Sequence, residues 1–243
     1  MEDKIYEDVN EGVLRHVGSR HRILDVGCGT GTLGFEMKKR GNIVWGLDVS
    51  ERAIKLARDK LDKVFICDVA DLENLPVKGE EFDVIVFADI LEHLDEPGKV
   101  LREYQKYLKE NGHVIVSLPN IASWTIRAKR LFGPLKPAKY GILDETHKHF
   151  YDLAGAKKLV WDAGYKIEKT DVNPNILRAA IPPLRRIQSL LSGKEEETEF
   201  NKKLIESRAY LAYREIVLPI ENFTANLWKS MLSFQLVFVA KFS

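Results

Sequence analysis

The 243-residue chain reads as an α/β protein: a doubly wound, seven-stranded, mostly parallel sheet with two helical insertions. Three observations carry that reading. Short apolar runs alternate with runs of helical spacing from residue 22 to residue 172, the rhythm of strand–helix–strand units. The run at 82–87 is nearly all apolar, as expected of a strand covered by helices on both faces. Gly27, Gly29 and Gly31 stand between the first apolar run and the first helical run, where a strand turns tightly into the helix that covers it.

Taken in order, residues 4–18 are predicted as a leading amphipathic helix, with Ile5, Val9, Val13 and Leu14 on one face. The first strand is 23–26, and the helix after it, 32–40, stops at Gly41. The second strand, 43–47, ends at Asp48, and Ser50 suits the cap of a helix over 51–61. The third strand, 64–67, ends at Asp68, and a loop through Pro76 leads to the fourth, 82–87. Pro97 opens a helix to about residue 110. Asn111-Gly112 then turns into the fifth strand, 113–118. A helix over 154–163, capped by Asp152, precedes the sixth strand, 165–172, and the seventh is 234–240.

Two stretches break this rhythm, 120–151 and 173–232. Long excursions from a compact domain are usually covers or binding loops. Both are expected at the carboxyl end of the sheet, over a substrate pocket, within one domain spanning 1–243. After Pro219, the residues Ile220, Phe223, Leu227, Trp228 and Met231 have helical spacing and are expected to pack on the sheet.

Net charge is +1, so no global electrostatic argument favours nucleic acid, and no binding motif for it is present. The longest apolar stretch, 231–242, is interrupted by Ser233, Gln235 and Lys241 and is too short to be a transmembrane segment. Arg127, Lys129, Arg130, Lys136 and Lys139 interleave with Trp124, Leu131 and Phe132. That stretch reads as a solvated helix face first and as a peripheral membrane contact second. If the strands that carry Cys28 and Cys67 flank a middle one, the two thiols are two strand spacings or about 9–10 Å apart, too distant for a disulfide. Reduced thiols and the lack of an export signal predict the cytoplasm. The pattern sets no oligomeric state.

The glycine loop, Asp25-Val26-Gly27-Cys28-Gly29-Thr30-Gly31, lets a ligand approach the main chain, with the N–H groups of the following helix aimed at it. Asp48 at the end of the second strand can accept from both ribose hydroxyls of an adenosine. Asp68 can accept from the adenine amino group, with Val69 as an apolar floor. A dinucleotide would favour Gly-x-Gly-x-x-Gly and a phosphate-tolerant surround. Here Asp25, Asp48, Asp68 and Asp89 would repel phosphate. They suit S-adenosylmethionine, which carries a cationic sulfonium and no phosphate.

The loop, together with Gly46-Leu47-Asp48-Val49-Ser50, Asp68, Phe82-Asp83-Val84-Ile85 and Leu91-Glu92-His93-Leu94, resembles the class I S-adenosylmethionine-dependent methyltransferases. The resemblance covers about 20–172 and lies toward the small-molecule branch (methyltransferase type 11/23-like), with its ubiquinone-pathway O-methyltransferases and sugar-modifying enzymes. It implies a Rossmann-like sheet whose last strand is antiparallel, and S-adenosylhomocysteine as product. It places cofactor contacts at Asp25, Gly27, Cys28, Gly29, Asp48, Val49, Asp68 and Val69, with Ala88 and Asp89 near the methionine end. The expected activity is methyl transfer to an oxygen, or a nitrogen, of a small-molecule acceptor such as a sugar, quinone or lipid-linked metabolite. A non-catalytic adenosine-ligand binding protein and an NAD(P)-dependent oxidoreductase are the alternatives.

An amine or hydroxyl acceptor benefits from a base. His93, just past the fourth strand, is the first candidate. In Tyr140 to Phe150, His147 and His149 would point the same way if the segment were extended. One of them is expected in the pocket wall. A metal site from these two with Asp144 or Glu145 is weighed and ranked below that, so the expectation is of no metal.

Overall fold

The computed structural model describes residues 9–138, 141–174 and 217–243. Its sheet has seven strands in the order β3-β2-β1-β4-β5-β7-β6: β1 Arg22–Val26, β2 Ile43–Asp48, β3 Lys63–Ile66, β4 Phe82–Ala88, β5 Leu108–Pro119, β6 Tyr165–Pro174 and β7 Ser233–Phe242. β1 to β5 pair in parallel, and β7 runs antiparallel between β5 and β6. The fold class expected from the sequence, including the antiparallel last strand, is the one observed.

Side chains alternate across the sheet with period two. Leu24, Ile85, Phe87, Val114, Val116 and Phe238 enter one core. Their neighbours Ile23, Val84, Val86, Ile115 and Val237 enter the other. Each core lies beneath helices, which is why these strands need no polar face. The covering helices are α1 Glu11–Leu14, α2 Thr32–Lys39, α3 Glu51–Ala57, α4 Pro97–Glu103, α5 Trp124–Leu131, α6 Leu153–Asp162, α7 Leu218–Leu227 and α8 Lys229–Leu232. Ser50 caps α3 by accepting from Ala53 N at 3.2 Å. Asp152 caps α6 by accepting from Gly155 N at 2.7 Å. Cys28 and Cys67 are both free thiols. No helix among the described residues is long and apolar enough to cross a membrane.

Three elements depart from expectation. The leading helix is short, because the Asn10 side chain accepts from Val13 N and starts it at Glu11; Ile5 lies outside the described residues. The helix from Pro97 ends at Glu103, followed by a 3-10 turn over Tyr104–Tyr107. Tyr104 is fully buried and donates to Val69 O at 3.1 Å, pulling the chain onto the core early. β5 therefore begins at Leu108, and Asn111-Gly112 becomes an irregularity within the strand, where pairing jumps from Phe82↔Leu108 to Val84↔His113. Finally, Ile220, Phe223, Leu227 and Trp228 are exposed rather than packed on the sheet. α7 meets β6 through its polar side instead, with Asn226 Nδ2 donating to Asp171 Oδ1 at 2.9 Å.

Candidate functional site

The glycine loop closes over the carboxyl end of β1. Gly27 N and Cys28 N both donate to Leu47 O, at 2.8 and 2.9 Å, which fastens the loop to β2. Asp48, at the end of β2, accepts from Gly29 N at 2.8 Å through one oxygen and from Ser50 N at 2.9 Å through the other. An ionised carboxylate offers about four lone-pair sites, so each oxygen keeps capacity for a further donor. Gly29 has φ 52°, and a β-carbon built on it would meet no atom within 4 Å. The loop is therefore open on the side where a ligand would lie.

The other residues predicted to contact a cofactor fall around this opening in different ways. Val49 is exposed just past Asp48. Asp68 is exposed at the end of β3 and accepts from Ala70 N at 2.9 Å, while Val69 is buried beside it. Cys28 turns its side chain inward, against the position a Gly46 β-carbon would take. Burial there pushes its thiol pKa far up, so only its main chain can serve a ligand. Ala88 ends β4. Asp89 is woven into a polar network: it accepts from Asn10 Nδ2 at 3.1 Å, from Ser117 Oγ at 3.1 Å and from Gln235 Nε2. Asn10, Ser117 and Gln235 are parts of this region that pattern reading missed, since lone polar residues among apolar ones give no periodic signal.

Asp25 is 1 % exposed, and its Oδ2 has no hydrogen-bond partner. Burial first, and the Asp48 charge second, push its pKa up to about 7. A carboxyl whose folded pKa stands above its unfolded value binds more protons in the folded chain between the two. Fold stability therefore falls as pH rises from about 4 to about 7, and stays at the lower level above that. Keeping Asp25 ionised costs about 4 kcal/mol at 1.36 kcal/mol per pH unit, and a buried unpaired amide about 2 kcal/mol. Asp25→Asn should then be about 2 kcal/mol more stable than the native chain at pH 8. The gain should vanish at pH 4. Urea unfolding at the two pH values reads the difference, and an equal effect at both would contradict the buried-acid reading.

A second cluster lies past β4. Leu91–His93 form a 3-10 turn and present Glu92 and His93 toward the segment 144–150. Lys148 N and His149 N donate to Glu92 O at 2.9 and 3.1 Å, so the first insertion is stitched across the end of β4. Its ends are pinned together where Ile121 N donates to Tyr151 O at 2.9 Å. Asp144 Oδ1 accepts from Thr146 N at 2.9 Å and from Thr146 Oγ1 at 2.7 Å. That turn breaks the extended course assumed from the sequence and sends the two histidines apart. The His147 ring stands 4.7 Å from that of His93, edge to face. His149 Nε2 instead lies 3.3 Å from Asp95 O. The structure thus brings His93 and His147 together and leaves His149 outside. Glu92, which the sequence reading quoted only as part of a motif, is the member it missed. The signal was a lone acid among Ile90, Leu91 and Leu94 just beyond a buried strand.

At the far end of α5, Leu131 and Phe132 are 84 % and 91 % exposed, next to Lys129 and Arg130.

Comparison with known proteins adds to this geometry. A family described as a methyltransferase domain matches residues 18–174, more than half of the chain. An uncharacterized protein of Methanocaldococcus jannaschii, MJ1123, is 35% identical over 114 residues, which are 47% of this chain and 52% of that protein. A ubiquinone biosynthesis O-methyltransferase of Marinobacter nauticus is 32% identical over 130 residues, 49% of this chain and 55% of the relative. The chain thus spans about half the length of the curated relatives it matches. The crystal structure of a SAM-dependent methyltransferase from Archaeoglobus fulgidus shares the fold with a TM-score of 0.58, over 94% of this chain and 89% of that one, at 19% identity. The match takes in the glycine loop, the acids that end β2 and β3, and six of the seven strands; the chain belongs to the methyltransferase-domain family, within the class I S-adenosylmethionine-dependent methyltransferases.

Proposed function

We propose that the chain transfers a methyl group from S-adenosylmethionine to an oxygen atom of a small-molecule acceptor, releasing S-adenosylhomocysteine. The observation that carries this is Asp48, held against the open face of Gly29 by hydrogen bonds to Gly29 N and Ser50 N. In that position it can accept from both ribose hydroxyls. Adenine would lie by Val49 and Val69 with its amino group toward Asp68. The methionine end would reach Ala88 and Asp89. Asp48, Asp68 and Asp89 along this path favour a cationic sulfonium over a phosphate-bearing ligand, whereas Asp25 is buried away from it.

In the transfer, the acceptor oxygen attacks the methyl carbon from the side opposite sulfur. The C–S bond breaks and its electron pair returns to sulfur, which becomes a neutral thioether. The hydroxyl proton leaves toward the group formed by Glu92, His93 and His147. Positioning supplies much of the rate, and a proton acceptor supplies part of the rest. The first insertion, and the described part of the second, would cover the acceptor within a single domain.

An oxygen acceptor is favoured over nitrogen by the named activity of the ubiquinone-pathway relative. The exposed Leu131 and Phe132 beside basic residues add lipid-linked compounds to the sugars and quinones worth screening. Calorimetric titration with S-adenosylmethionine, S-adenosylhomocysteine and NAD tests the cofactor. The two sulfur nucleosides should bind with micromolar affinity, about −8 kcal/mol, and NAD should not bind. Tighter binding of NAD would overturn the reading. Binding of the methyl donor without transfer to any acceptor in a labelled-methyl screen would point to a non-catalytic adenosine-ligand binding protein.

A further inference from the structure

We propose that Glu92, His93 and His147 form a binding site for a divalent first-row transition-metal cation, of the zinc or manganese type. One ligand atom from each residue lies within 4.8 Å of the others. A carboxylate with two imidazoles is a donor set suited to such ions, and it leaves coordination positions open. Ligand atoms on a tetrahedral zinc lie about 3.4 Å apart when bonds are about 2.1 Å. Modest side-chain rotation would bring these three groups onto one ion.

Glu92 itself points to a missing cation. It is 1 % exposed, and neither carboxylate oxygen has a hydrogen-bond partner among the described residues. The His147 Nε2 atom stands off from it at 3.9 Å, beyond hydrogen-bond length. A buried carboxylate in that condition is costly. A cation seated between Glu92 and the imidazoles would neutralise that charge and occupy both oxygens.

The imidazoles are oriented for the task. His147 Nδ1 lies 3.2 Å from Ile142 O, and His93 Nδ1 lies 3.3 Å from Thr146 O and 3.1 Å from Thr146 Oγ1, a hydroxyl that donates its own proton to Asp144 Oδ1. A carbonyl only accepts, so each contact makes Nδ1 the protonated nitrogen and Nε2 the lone pair. Backbone carbonyls hold metal-binding histidines in this way in many sites. The two carbonyls belong to the segment that is stitched to Glu92, so an ion would also tie the first insertion to the end of β4.

Metal binding follows from this geometry alone; only its role rests on the methyltransferase reading. An open position on the ion would take the acceptor oxygen and lower the pKa of its hydroxyl. That meets by another route the need otherwise met by an imidazole base, and it makes the acceptor a hydroxyl compound rather than an amine.

The test uses the full chain, dialysed against chelator and titrated with ZnCl2 or MnCl2 alone, without cofactor. One ion should bind per chain. Co2+ in its place should give d–d absorption without a thiolate charge-transfer band. His147→Ala and Glu92→Gln should each weaken binding by about 100-fold or more, at least what loss of an outer-shell partner does. His21→Ala, a histidine remote from the site, should not. The circular dichroism spectrum of each variant shows whether it is folded, and Glu92→Gln keeps the buried shape if His147→Ala does not. Absence of binding, or equal binding in folded variants, overturns the site. Titration of the metal-free chain with S-adenosylmethionine separates the two proposals. Methyl donor bound with no ion taken up defeats the metal site alone. An ion bound with no methyl donor leaves the metal site standing and defeats the methyltransferase reading.

Discussion

Asp48→Ala is expected to weaken S-adenosylmethionine binding by about 100- to 1,000-fold. The carboxylate would accept from two ribose hydroxyls, and a hydrogen bond to a charged group contributes about 1.5–3 kcal/mol. Removing two such bonds, with some replaced by water, costs about 3–4 kcal/mol, and each 1.4 kcal/mol is about tenfold. The same substitution strips acceptors from Gly29 N and Ser50 N. Both groups sit near solvent, so the fold itself should lose little. Asp48→Asn keeps one carbonyl acceptor and the shape, and should lose only about tenfold, roughly one charged bond made neutral. Calorimetry of the two variants against the native chain, with melting curves as a control on folding, measures both effects. Unchanged affinity in folded Asp48→Ala would remove this residue from the ribose contact.

The parts of this site that lie at strand ends were legible in the sequence, and the parts made by packing were not. Asp48 and Asp68 stand where a short apolar run stops, so their place at the carboxyl edge follows from locating the strands. The caps at Ser50 and Asp152 are equally local. In contrast, Tyr104 reads as one more helical residue until its hydroxyl is seen reaching Val69 O, 35 positions away. That contact moves the start of β5 from residue 113 to Leu108. The pairing of His147 with His93, rather than with His149, depends on the turn made by Asp144 and on main-chain bonds to Glu92 O. Neither leaves a periodic mark. The exposed face of α7 is the converse case: Ile220, Phe223 and Leu227 have the spacing of a buried stripe, but spacing alone does not say what lies opposite.

The second large effect is a separation between two neighbouring glycines. Gly27 and Gly29 both have positive φ, 75° and 52°, so a side chain at either position pays about 1–2 kcal/mol in backbone strain. Their surroundings differ. A β-carbon on Gly27 would come within 2.8 Å of Ile90 Cγ1, whereas one on Gly29 meets nothing within 4 Å. Gly27→Val must therefore push the half-buried Ile90 side chain, two residues past β4, aside, adding about 1–3 kcal/mol of overpacking. It should lower the melting temperature sharply. Gly29→Val should melt within a few degrees of the native chain, because only the strain is felt. Its isopropyl group, however, would fill the space over the loop beside Asp48, where the cofactor's main-chain approach is proposed. Binding of S-adenosylmethionine should then fall below detection by calorimetry. Cofactor bound to Gly29→Val at native affinity would mean that the open face of the loop is not the ligand's side. The ribose role of Asp48, which faces that same space, would fall with it.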